Sequence, residues 1–225
     1  MSDLRFACFC LALGAAGCSS APPVADWQIN AKSSMDRAVA AYLTGDTRVA
    51  AAELDRTRGE ISRTGRADLL ARAELRMCAA QVASLVFDPC AGFESLRDDA
   101  PAPEKAYADY LAARLAPGDV ALLPSAQRGV AAREISDDAA AAAVKGIEDP
   151  LSRLVGAGVL FQSGRASPAV ATVAVETASA QGWRRPLLAW LGVQHMRAEK
   201  AGDAGAAERL RRQMEIVGRT QQAGQ

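Results

Sequence analysis

A single histidine, His195, occurs in 225 residues. A metal site or a histidine-based triad needs partners spaced around such a residue, and none is placed that way. An excess of one charge is lacking too, since 26 Lys and Arg balance 26 Asp and Glu. Nucleic-acid proteins normally carry a basic footprint, so that class is excluded. β-Branched runs are short and sit inside helical spacing, which leaves no signal for a sheet. Gly156 and Gly158 follow no strand and so form no dinucleotide fingerprint. Asp137-Asp138 after Ser136, and Glu148-Asp149 before Pro150, read as helix starts favoured by the dipole, not as catalytic carboxylate pairs. These absences point away from an enzyme. A composition 50% hydrophobic can nevertheless bury a real core, in one domain or two tightly stacked ones.

The first 20 residues carry the most specific signal. Arg5 leads into an apolar run, Phe6 to Ala16, too short for a permanent membrane span but suited to a cleaved secretory signal. Small residues then precede a cysteine, Ala15-Ala16-Gly17-Cys18. This resembles the lipobox of bacterial lipoproteins, in which the cysteine is lipid-modified and becomes the mature N-terminus. The resemblance implies removal of residues 1–17 and a covalent lipid on Cys18. Ser19, where an Asp commonly retains such proteins in the inner membrane, implies the outer membrane of a Gram-negative bacterium, facing the periplasm. Each buried acyl CH₂ contributes about 0.8 kcal/mol, so several chains on one cysteine hold firmly. The alternative is an ordinary secretory signal cut after Ala16 or Gly17, with Cys18 a free thiol. Residues 18–26, rich in Ser, Ala and Pro, form a tether.

Cys8 and Cys10 leave with the signal, so Cys78 and Cys90 are the pair that remains. An oxidising compartment favours a disulfide between them. A bridge needs Cα atoms within about 7 Å. An unbroken helix from Ala67 to Phe87, at about 1.5 Å per residue, would hold Cys78 too far from the turn at Asp88-Pro89. The bridge therefore requires a helix that stops near Val82 to Ser84, with Leu85 to Pro89 folding back. Otherwise both cysteines are buried and reduced.

From Trp27 onward the spacing is helical almost throughout. Trp27, Ala31, Met35, Ala38 and Tyr42 share a face, and Gly45 ends that helix. A second runs from Asp46 to Gly65 with Ala50, Leu54 and Ile61 inward, and a third starts near Ala67 with Leu70, Ala73 and Met77. Asp88-Pro89 and Pro103 each predict a further start. Pro117 to Pro124 is the least regular stretch and the natural division between residues 27–116, the N-terminal hairpins, and 117–225, the C-terminal repeats with a disordered tail.

Pro150-Leu151-Ser152-Arg153-Leu154-Val155-Gly156 recurs as Pro186-Leu187-Leu188-Ala189-Trp190-Leu191-Gly192, a shift of 36 residues. The same shift carries Ser167, a helix cap, onto Asp203 and Gly182, a helix stop, onto Gly218, so each unit is two helices with a capped start and a glycine end. Tyr42-Leu43-Thr44-Gly45-Asp46 is a weaker echo of Glu199-Lys200-Ala201-Gly202-Asp203. A helix–turn–helix period of this length resembles tetratricopeptide arrays, with Trp190-Leu191-Gly192 the surviving part of the consensus. The resemblance implies an all-α fold, stacked as a short tetratricopeptide-like α-solenoid with a concave groove.

Trp183 and Trp190 are candidates for lining that groove, with core packing the competing role. The locally basic stretch from Arg184 onward is either a solvated face or a dock for an acidic partner. The expected function is that of a non-enzymatic, membrane-anchored scaffold or adaptor for an envelope protein, with no metal, no nucleic acid and no cofactor beyond the lipid. Helical-repeat lipoproteins of this kind serve as secretin pilotins, outer-membrane assembly components and adaptors for peptidoglycan hydrolases. A periplasmic carrier holding a small or lipidic ligand in a closed helical core is the alternative.

Overall fold

The computed structural model describes residues 24–132 and 136–219. The expected signal, Cys18 and most of the tether lie outside the described residues. Among those described, every regular element is helical. None of the helices is long and apolar enough to cross a membrane.

The chain opens with α1 (Asp26–Thr44) and α2 (Thr47–Ser62). Gly45 stops α1 with φ 97°, a value that favours glycine, and Asp46 N–H reaches back to the Ala41 carbonyl at 2.8 Å. The Asp46 carboxylate then accepts from Val49 N–H at 3.0 Å and starts α2. Two residues thus end one helix and begin the next. The same device recurs late in the chain between α10 (Arg184–Lys200) and α11 (Ala204–Arg219). There Asp203 N–H reaches the Ala198 carbonyl at 3.0 Å, and its carboxylate accepts from Ala206 N–H at 2.8 Å.

α3 (Ala67–Ala83) is buried on two sides. Ala73, Met77 and Ala80 complete a small core with Met35, Leu43 and Leu54 of α1 and α2. Its other face, through Leu75, Cys78, Ala79 and Val82, enters a larger core that extends to Trp190 and Val193. Leu85, at φ 59°, turns the chain immediately after α3, and Val86 N–H bonds back to the Gln81 carbonyl at 2.9 Å. The early stop required for the cysteines to meet is therefore present, without a glycine to announce it. The expected helix start at Asp88-Pro89 is displaced. Short α4 (Ala91–Glu94) begins only after Cys90, because residues 85–90 are used to bring Cys90 back to α3.

α5 (Ala102–Leu111) follows, with Pro103 in its first turn. A 3-10 segment (Pro117–Leu122), α6 (Ser125–Ala131) and α7 (Asp137–Lys145) lead to the hairpin of α8 (Pro150–Gln162) and α9 (Pro168–Ala180). The expected capping carboxylates and hydroxyls are in place. Ser136, Asp149 and Ser167 accept from Ala139, Ser152 and Val170 N–H respectively. Gly218, expected to stop the last helix, lies inside α11 instead.

α8 crosses α3 closely enough that a Cβ on Gly158 would stand 2.3 Å from the Val82 carbonyl oxygen. Gly158 is thus a packing residue. The irregular stretch near residue 117 does not separate two cores. Buried Gln127 accepts from the Tyr110 hydroxyl at 2.7 Å and donates to the Ser152 carbonyl at 2.9 Å, tying α5, α6 and α8 together. α10 also returns to α1. Arg185 donates to the Tyr42 carbonyl at 2.7 Å and to Thr47 Oγ1 at 2.8 Å, with its guanidinium 4.3 Å from the Tyr42 ring centre. A cation there complements the C-terminal end of α1. In a solenoid each repeat touches only its neighbours. The α3–α8 and α1–α10 contacts instead join parts of the chain far apart in sequence.

Candidate functional site

A cleft of about 550 Å³ lies where α3, α5, the 3-10 segment and the start of α8 meet. α3 supplies one wall through Arg72, Leu75, Arg76 and Ala79, which recur at three- and four-residue steps and so share one helix face. Leu123 and Val155, both almost fully buried, extend its apolar floor. Arg72, Arg76 and Leu122 keep exposed surface at the rim, so the cleft opens to solvent.

The polar groups are placed by helix starts. Glu104 sits in the first turn of α5, where a carboxylate complements the dipole, and Tyr107 stands one turn further on. Asp149, the cap of α8, accepts from Ser152 N–H at 2.7 Å. Arg72 Nε donates to Glu104 Oε1, joining α3 to α5 across the cleft. Glu104 keeps only 8% of its surface exposed, and its second oxygen, Oε2, has no hydrogen-bond partner among the described residues. Burial pushes the Tyr107 hydroxyl up from its usual range, and the nearby Asp149 charge adds to this. Arg76 is held by Asp36 of α1 at 2.7 Å. Burial tends to raise the Asp36 carboxyl, but hydrogen bonds from Lys32 and Arg76 hold it below its ordinary value. The cleft therefore combines an apolar floor with acceptor oxygens on Glu104, Tyr107 and Asp149.

The residues singled out in the sequence lie elsewhere. Trp190 is fully buried, with its ring edge against Phe161 at 5.7 Å, and it lines no groove. Its indole needs a buried acceptor, which the end of α3 provides. Trp183 is half-buried at the N-cap of α10 and packs against both cores. His195 Nδ1 lies 3.5 Å from Glu199 Oε2, one turn along the same helix. Cys78 and Cys90 stand at disulfide distance, with Cα atoms 5.9 Å apart. Cys18 falls outside the described residues.

Sequence reading passed over Arg72, Arg76 and Glu104. The signal for the first two was an Arg-x-x-x-Arg pair spanning the apolar step Leu75; Glu104 beside Pro103 reads as an ordinary helix start. Among the described residues no group of three or more His, Cys, Asp or Glu is gathered as metal ligands. No family model matches the chain, and no curated protein or solved structure matches it either.

Proposed function

We propose that the chain is a non-enzymatic lipoprotein of the outer membrane's periplasmic face, whose helical body serves as a scaffold or adaptor for an envelope protein. The observation that carries this reading is the apolar run Phe6 to Ala16 followed by Gly17-Cys18. Lipid on Cys18 would hold the body within the few residues of the tether, each spanning about 3.3 Å at most. The body is a set of helices packed against one another, and its matching Gly45-Asp46 and Gly202-Asp203 turns are what supports a tetratricopeptide-like origin for its hairpins. An open cleft with exposed rim residues favours a protein partner over a ligand sealed inside.

A second reading, a carrier of a small or lipidic ligand, draws on the cleft volume. About 550 Å³ lies within the roughly 300–1,000 Å³ typical of small-molecule sites.

Two measurements test the leading reading. Wild-type protein incorporates labelled palmitate, and Cys18→Ser yields an uncleaved precursor or a soluble form; unlabelled wild type with normal fractionation of the mutant overturns the anchor. Affinity purification from membranes at near-native expression recovers a reproducible protein partner. Recovery of none overturns the scaffold.

A further inference from the structure

We infer that the outward face at the start of α1 is a membrane-contact surface, with Val24 and Ile29 resting in the headgroup boundary of the bilayer that holds the lipid on Cys18. This goes beyond the scaffold reading by fixing how the body sits on its membrane, and it rests on the anchor in that reading. Val24 and Ile29 keep 61% and 54% of their surface exposed, among the few large apolar side chains of the described residues that do so. Single exposed apolar residues are ordinary on a protein surface. This pair is set apart by its place. Val24 follows Cys18 by six residues, and at about 3.3 Å each the intervening chain spans no more than about 20 Å. The anchor therefore brings these two side chains, and no distant part of the body, within reach of the headgroups.

The face is continuous and open. Val24 and Ile29 line it together with Gln28, Lys32 and Ser33, all exposed, while the buried stripe of α1 (Ala31, Met35, Ala38 and Tyr42) packs into the body. Its apolar part lies at the anchor end. One turn further on stands Lys32, whose side chain is 78% exposed and whose ammonium gives one of its three donors to Asp36 at 2.8 Å. The remaining donors can reach lipid phosphates while the methylene stem lies along the boundary. Two apolar side chains are too little for a separate protein partner, since stable interfaces bury at least about 1,200 Å². A bilayer asks for less. The anchor already holds the face at high effective concentration, and contact strengthens with each apolar group buried.

The test uses the lipidated full chain in vesicles of phosphatidylethanolamine and phosphatidylglycerol, with the photo-crosslinker benzoylphenylalanine in place of Gln28 or of Asn30. Gln28 lies on this face, whereas Asn30 is exposed on another side of α1, beside Glu60 and Arg63. Both have the same reach from Cys18, so tethering alone gives them equal yields of phospholipid adduct. Contact through Val24 and Ile29 should raise the Gln28 yield roughly tenfold over that of Asn30. Val24→Ser combined with Ile29→Ser should return the ratio to unity and leave the circular dichroism melt unchanged within a few degrees, because both side chains are exposed. Should that double variant fail to fold, the ratio in the otherwise wild-type chain decides alone. Equal yields, a higher yield at Asn30, a ratio untouched by the serine pair, or a crosslinked dimer in place of lipid at Gln28 overturns the placement. Flotation separates this from the anchor. Chain that floats with the vesicles yet gives equal yields refutes the placement and leaves the anchor standing, whereas chain that does not float refutes the anchor and the placement with it.

Discussion

The indole N–H of Trp190 donates to the backbone carbonyl of Ala83 at 3.2 Å, across 107 residues of sequence. Ala83 is the last residue of α3, where carbonyls have no partner within the helix. Leu85 turns the chain away at that point, and α10 supplies the missing donor. One side chain thus fills the larger core and closes the end of its central helix.

Replacing Trp190 should therefore cost more than its volume alone. Trp190→Ala should destabilise by about 3–5 kcal/mol through the cavity it leaves. Trp190→Phe should cost about 1–3 kcal/mol, because a buried carbonyl loses its donor. Urea unfolding followed by circular dichroism measures both; a loss under about 1 kcal/mol for the alanine variant contradicts this role.

Two glycines in different helices, Gly158 in α8 and Gly192 in α10, should respond oppositely to alanine. At Gly158 the new Cβ meets the Val82 backbone, which cannot swing aside, so overpacking of about 1–3 kcal/mol is expected. At Gly192, inside α10, nothing lies within 4 Å of the added Cβ. Gly192→Ala should be stabilising by about 0.5–1 kcal/mol through helix propensity. Melting temperatures moving in the same direction for both would show that the α3–α8 approach is looser than described.

With Cys78 and Cys90 oxidised, the short loop between them should contribute about 2–3 kcal/mol by restricting the unfolded chain. Reduction should lower the melting temperature and leave the helical signal, since most packing lies outside the loop. Thiol titration of denatured, unreduced protein should find neither cysteine free. Two free thiols would mean the pair is merely adjacent.

On α11, a two-pronged hydrogen bond from Arg211, aided by Arg212, holds the Glu208 carboxyl at about 2 against an ordinary 4.5. A depressed carboxyl contributes stability that is fully present above the ordinary value and is lost as pH falls toward 2. α11, packed chiefly on α10, should therefore fray on acidification below about pH 4.5, and added salt should weaken the effect. Carboxyl NMR should place the Glu208 midpoint near 2 and move it upward in Arg211→Ala. An unchanged midpoint in that variant refutes the pairing.

Local chemistry by itself determined the helical class, the capped starts at Asp46, Ser136, Asp149, Ser167 and Asp203, and the stops at Gly45 and Gly182. Each depends on groups a few residues apart, such as a side-chain oxygen facing a free N–H or a residue free to take positive φ. The stops after α3 and α5 were invisible because Leu85 and Ala113 adopt positive φ without the glycine that marks such turns. Tertiary structure alone decided that α8 rests on α3 at Gly158, that Trp190 belongs to the core, and that Arg72 of α3 meets Glu104 of α5. It also gathered the cleft, because a helical period reveals which face of a helix is apolar but not which distant face will cover it. Arg72 and Glu104 are separated by 32 residues, and only the packing of α5 against α3 makes them neighbours.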